Sequence, residues 1–188
     1  QALVAARYGV RPPYLLYISR IEHPGKNHAR LIRAFARAAG KGQVPHTLVL
    51  AGSDWTRAEE VHRAAAESGV ADRIVFTGFA PVADLPALYG GADLFVFPSL
   101  YEGFGIPVLE AMCCGVPVLC SNLSSLPEVA GDAAVLADPT DEEALGAAIL
   151  DLLADPGKRA RYAARGLEHS RAFSWRATAS RTLEVLRM

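Results

Sequence analysis

Cysteine is scarce in this 188-residue sequence, with three residues at 113, 114 and 120, two of them adjacent. An odd, clustered set makes neither a disulfide framework nor a metal-ligand spacing, so a reducing cytosol is the expected compartment. Long apolar runs are missing as well. The longest uncharged stretch, Ala111 to Pro127, is interrupted by Gly115, two prolines, Asn122 and three serines, which excludes a spanning helix. Nor is there an excess of one charge. The 19 Lys+Arg against 20 Asp+Glu give a formal net charge of −1, without the basic footprint that a nucleic-acid backbone demands, and no nucleic-acid partner is expected. The five histidines show no ligand spacing, and no metal or cofactor is expected. Neither G-x-x-x-x-G-K-[ST] nor G-x-G-x-x-G occurs, which argues against an NTPase or a dinucleotide enzyme. The serines at 121, 124 and 125 lack the nucleophile-elbow pattern of a hydrolase.

What is present is 51% apolar residues, enough for one well-buried domain and too few residues for two. Short runs of β-branched and aromatic residues alternate with stretches of helical period, the signature of βαβ units. The pattern predicts strands at Tyr14–Ser19, Thr47–Ala51, Ile74–Thr77, Leu94–Phe97, Val116–Cys120 and Ala133–Leu136. Helices are expected at 28–40 (capped by Asn27), Trp55–Ser68, Leu85–Tyr89, Pro107–Cys114, Asp141–Ala154, Pro156–Ser170 and Ser174–Arg187. Cys113 and Cys114, ending an apolar helix, are expected to be small buried hydrophobes. The fold class is therefore α/β: a Rossmann-like, three-layer domain with about six parallel strands and helices on both faces. Charge is unevenly spread. Residues 156–188 hold eight Lys+Arg and two acids, a balance of +6, which leaves −7 on the first 155 residues. This basic segment reads either as a solvated helical hairpin or as a surface for another domain or an anionic membrane.

Two segments carry candidate chemistry. Pro98–Met112, with Glu102-Gly-Phe-Gly-Ile-Pro-Val-Leu-Glu110 inside it, puts a glycine-rich turn between a strand end and a helix start. Glycines let backbone approach a ligand closely, and the free amides at a helix N-terminus favour an anion such as a diphosphate. Glu102 and Glu110 flank the turn, and a carboxylate suits a vicinal diol of ribose or a hexose. Glu110 reads equally well as a surface acid facing the helix dipole, and Glu102 as an exposed loop acid. The second segment, Ser19-Arg-Ile-Glu-His-Pro-Gly-Lys-Asn27, leaves the carboxyl end of the first strand on the same rim. Arg20 and Lys26 suit phosphate oxygens, or are simply solvated loop cations.

These segments, with Phe76-Thr-Gly-Phe79, Ala92-Asp-Leu-Phe-Val-Phe-Pro-Ser99, Cys113-Cys-Gly-Val-Pro-Val118 and Leu126-Pro-Glu-Val-Ala-Gly131, occur in the order found in one family. Together they make the chain resemble the C-terminal domain of the retaining family 4 (group 1) glycosyltransferases, closest in wording to bacterial mannosyltransferases of polysaccharide biosynthesis. The resemblance implies half of a GT-B fold: an interdomain remnant at 1–12, a nucleotide-sugar-binding domain at 13–172 and a crossover helix at 173–188. The N-terminal acceptor domain is absent, and Gln1, where no initiator Met stands, agrees with a fragment that is weakly active or inactive alone.

Roles follow from the same resemblance. Arg20 and Lys26 hold the donor diphosphate; Glu102 lies against the donor sugar and, with these two cations, makes the catalytic set. Glu110 binds the ribose hydroxyls, Gly103, Phe104, Gly105 and Ile106 meet sugar and phosphates, and Gly78 and Phe79 border the base. Ser19 stands where the family often has glycine, tightening the turn before Arg20. The implied reaction moves a hexose, with retention and without a required metal, from a nucleotide sugar to a saccharide or lipid-linked acceptor. GDP-mannose is the favoured donor and a UDP-sugar such as UDP-glucose the alternative. A cytoplasmic place, peripheral at the inner face of the membrane, is expected. A non-catalytic sugar-nucleotide-binding module and a GT-B epimerase are the competing readings.

Overall fold

The structure, a computed structural model, describes residues 2–40 and 44–187. After a short helix α1 (Ala2–Tyr8), β1 (Tyr14–Ile18) leads into α2 (His28–Gly40), β2 (Thr47–Ala51), α3 (Ala58–Ala66) and β3 (Ile74–Gly78). The chain continues through α4 (Leu85–Gly90), β4 (Leu94–Phe97), α5 (Ile106–Cys113), β5 (Val118–Ser121), α6 (Leu126–Ala130) and β6 (Val135–Ala137). Three helices close it: α7 (Glu142–Ala154), α8 (Pro156–Ser170) and α9 (Trp175–Leu186). Every strand pair is parallel, in the order β3-β2-β1-β4-β5-β6. The α/β expectation of about six parallel strands holds.

That order has a consequence for the helices. From β1 the chain steps outward to β2 and β3, then returns past β1 to β4 and runs outward the other way. Right-handed crossovers in opposite directions lay their helices on opposite faces of the sheet. Thus α2 packs on α3 and α7, while α5 packs on α4, α6 and α8. Strands covered on both sides must be apolar throughout, and β1, β2 and β4 read Tyr-Leu-Leu-Tyr-Ile, Thr-Leu-Val-Leu-Ala and Leu-Phe-Val-Phe. Their side chains join Phe35, Ile32, Val108 and Met112 in a single core.

Five local expectations are corrected. The helix foreseen from Trp55 starts only at Ala58, because Trp55 N–H is taken by Ile21 O at 2.9 Å and Arg57 adopts φ 56°. Asn27 does precede α2, but at φ 62° its side chain turns away from the helix amides. Its Nδ2 donates to Pro98 O (3.0 Å) and Pro139 O (2.7 Å), tying the loops after β1, β4 and β6 together. Helix α5 begins at Ile106, one residue early, so Glu110 falls just beyond its first turn. Cys113 is exposed and Cys114 half-buried, since the inward face of α5 is Val108, Ala111 and Met112; only Cys120 is buried. The final strand also lies later than expected, at Val135–Ala137.

Candidate functional site

The strand order reverses direction between β1 and β4, and in open α/β sheets ligands enter the crevice beyond the carboxyl ends at such a switch point. A pocket of about 330 Å³ opens there. Of the residues singled out in the sequence, Arg20 and Lys26 line it from the β1 side, and Glu102, Phe104, Gly105 and Ile106 from the β4 side. Ile18, Ser19, Phe97 and Pro107 complete the lining. Ser19 and Pro107 directly adjoin the foreseen Arg20 and Ile106, while Ile18 and Phe97 end β1 and β4, so strand-end position is the signal that would have found the latter two.

The β1 wall is anchored from below by buried polar groups. Tyr17, fully buried, donates its hydroxyl to Lys26 O at 2.6 Å, and Ser99 Oγ lies 3.1 Å from the Tyr17 hydroxyl oxygen. Burial raises the Tyr17 pKa far above its ordinary value, so it remains a donor. His28 Nδ1 lies 3.2 Å from Glu22 O and its Nε2 3.2 Å from Ser19 Oγ. Desolvation pushes the His28 pKa down to about 4, and the neutral ring bridges both ends of the turn that carries Arg20. Lys26 emerges above this base and meets Glu102, Nζ to Oε1 at 2.7 Å. The pair joins loops 76 residues apart, with side chains only 18% and 13% exposed.

The β4 wall is shaped mostly by backbone. Gly105 takes φ 101°, and a Cβ there would meet the buried Leu126 Cδ2 at 2.5 Å, so glycine alone fits this turn into α5. Ser125 Oγ reaches both Glu102 O (3.0 Å) and Phe104 O (2.9 Å), and Glu102 N–H donates to Ser124 Oγ at 3.1 Å. These two serines hold the glycine-rich loop in shape. Phe104 itself packs edge-on against Phe173 at 6.2 Å.

Other foreseen residues lie outside the pocket lining. Glu110 sits farther along α5 and accepts the Tyr89 hydroxyl at 2.8 Å. Gly78 and Phe79 stand at the end of β3, two strands over on the same rim, with Gly78 O accepting Gly52 N–H at 2.9 Å and Phe79 72% exposed. Gly103 belongs to the glycine-rich loop but is not among the lining residues. A second depression, about 320 Å³ around His23, Arg33, Glu60 and Arg63, lies between α2 and α3, away from that loop. Among the described residues no group of three or more His, Cys, Asp or Glu side chains is placed to hold a metal, and no helix is long and apolar enough to cross a membrane.

A doubly wound parallel domain with cations and a helix N-terminus at its switch point is a Rossmann-like unit suited to a phosphorylated ligand. The chain belongs to the glycosyl transferases group 1 family, whose model matches residues 7–169. It is 42% identical over 177 residues to the O-antigen chain mannosyltransferase B of Escherichia coli, covering 93% of this chain and 46% of that protein. To the GDP-mannose-dependent alpha-(1-6)-phosphatidylinositol monomannoside mannosyltransferase of Mycolicibacterium smegmatis it is 34% identical over 197 residues, covering 99% and 51%. Among solved structures, sucrose-phosphate synthase from Thermosynechococcus elongatus superposes with a TM-score of 0.84 at 30% identity, over 100% of this chain and 48% of that one. Anabaena HepE in complex with UDP-glucose superposes with 0.83 at 25%, over 99% and 52%. The chain therefore spans about half the length of these proteins.

Proposed function

We propose that the chain is the donor-binding half of a retaining glycosyltransferase that moves mannose from GDP-mannose to a saccharide or lipid-linked acceptor. The observation that carries this reading is the switch-point pocket, where Arg20, Lys26, Glu102 and the Gly105–Ile106 start of α5 converge from two distant loops. The mannosyltransferase relatives favour mannose. A UDP-sugar is the second reading, favoured by the likeness to HepE, solved with UDP-glucose.

In this reading Arg20 and Lys26 bind the diphosphate, and the amides opening α5 meet its developing charge as the sugar departs. Two cations and a helix N-terminus supply that compensation without a metal. Glu102 orients the sugar and, through its ion pair, aims Lys26. Glu110 takes the ribose hydroxyls, for which the Tyr89 hydroxyl must share or yield its carboxylate, and Gly78 and Phe79 border the base. Same-face attack by the acceptor leaves its proton to the departing phosphate. Thus the two glutamates do not act as a glycosidase acid/base pair.

The acceptor wall belongs to an N-terminal half beyond this chain, toward which α9 crosses. Support comes from α9 itself, which buries none of its residues and exposes Trp175, Leu183, Val185 and Leu186. The full-length protein is placed in the cytoplasm, peripheral at the inner membrane face, in keeping with the lipid-linked substrate in the name of the mycobacterial relative.

Arg20→Ala removes a charge-assisted contact worth about 1.5–3 kcal/mol, so GDP or UDP affinity should fall roughly ten- to a hundredfold by calorimetry. Undiminished binding would sink the role of Arg20. A donor panel on the full-length protein then decides the sugar. Activity with UDP-glucose and none with GDP-mannose would replace the first reading by the second.

A further inference from the structure

Trp55, on the loop after β2, is 59% exposed, and the Arg20 guanidinium lies over its ring with Cζ 5.2 Å from the centroid. We propose that Trp55 is a positioning residue for Arg20, holding the guanidinium by its face at the pocket mouth while its in-plane donors stay free for a diphosphate. The proposal rests on the donor-binding reading above.

Backbone geometry delivers the ring to this place. Beyond the last residues of β1 and β2 the two loops continue side by side: Ser19 N–H donates to Ala51 O, Ile21 N–H to Ser53 O, and Trp55 N–H to Ile21 O, at 2.9–3.0 Å. An isolated parallel bridge pairs Ile21 with Asp54. The approach is possible because residue 52 is glycine; a Cβ there would lie 1.8 Å from Ser19 O. Arg20 and Trp55 thus sit on adjacent, hydrogen-bonded segments.

The physics of the contact suits the task. A guanidinium carries five N–H donors in its plane, and a carboxylate partner consumes them, whereas an aromatic face engages the cation from above and leaves them available. Among the described residues no side-chain hydrogen bond is made by Arg20; its nearest acid is Glu22, Nη2 to Oε2 at 3.5 Å, too long for one. Lys26 is the contrast, with its ammonium already engaged by Glu102. Restricting a long, 57% exposed side chain before the ligand arrives lowers the ordering cost of binding.

The test is a double-mutant cycle read by calorimetry with GDP and UDP on the parent chain, Trp55→Ala, Trp55→Phe, Arg20→Ala and the double variant Trp55→Ala/Arg20→Ala. The cation–π contact predicts a roughly two- to fivefold loss for Trp55→Ala, largely restored in Trp55→Phe and vanishing in the Arg20→Ala background. In a Trp175→Phe background, which leaves Trp55 as the sole tryptophan, Arg20→Ala should shift the tryptophan emission without nucleotide. An equal loss with and without Arg20, or unchanged affinity, overturns the positioning role and leaves the donor reading standing. A parent chain that binds neither nucleotide overturns the donor reading, and the positioning role with it.

Discussion

The pocket wall that follows β1 presents side-chain cations, Arg20 and Lys26, whereas the wall that follows β4 presents mainly backbone, the loop from Glu102 into α5. The first is supported by buried polar groups and by the close approach of two strand ends; the second is stitched by two serine hydroxyls and one positive-φ glycine. Charge on flexible side chains needs support from below, and backbone donors need only a loop of fixed shape. The walls should accordingly fail in different ways.

The largest effect is expected on the β1 side. Gly52→Ala places a Cβ against backbone, which no rotamer change relieves, and should cost about 3 kcal/mol or more of stability by denaturant unfolding. A loss below about 1 kcal/mol would show that the two loops separate freely, and the contrast between the walls would dissolve.

Next comes the buried His28. Its folded pKa, about 4, lies below the ordinary 6.5, so the unfolded chain binds the proton more readily. Its contribution is therefore complete above pH 6.5 and is lost as the pH falls toward 4, by about 2–3 kcal/mol. Unfolding of the parent and of His28→Gln across that range should give a shallower slope for the variant. Parallel slopes would mean that His28 titrates normally.

Smallest is Ser125→Ala on the β4 side, expected to cost about 1 kcal/mol in stability while loosening the glycine-rich loop. If it weakened nucleotide binding as much as Arg20→Ala does, the backbone wall would rank equal to the cationic one.

Much of this was legible in the residues. The alternation of apolar runs with helical periods marked all six strands to within two residues, and most clearly the central ones, because a strand covered on both faces must be apolar throughout. The two loops with candidate chemistry were legible too, since strand ends and glycines punctuate a chain locally. The start of α3 was not, because Trp55 surrenders its N–H to Ile21, more than thirty positions away in sequence. Asn27 looked like a helix cap because asparagine before a helical run commonly is one. Its amide instead found two carbonyls on other loops.

By itself, then, the sequence determined the α/β class, the group 1 glycosyl transferase motifs and the residue types at the rim. These are set by local periodicity and by short runs of contiguous residues. Only the tertiary structure decided that Lys26 pairs with Glu102, that Tyr89 meets Glu110, that Ser124 and Ser125 hold the glycine-rich loop and that Trp55 lies against Arg20. The first three are contacts between groups at least 21 positions apart, and the fourth joins the ends of two different strands. Such contacts exist only after crossovers have laid strands side by side, and no period in the sequence encodes which ends will meet.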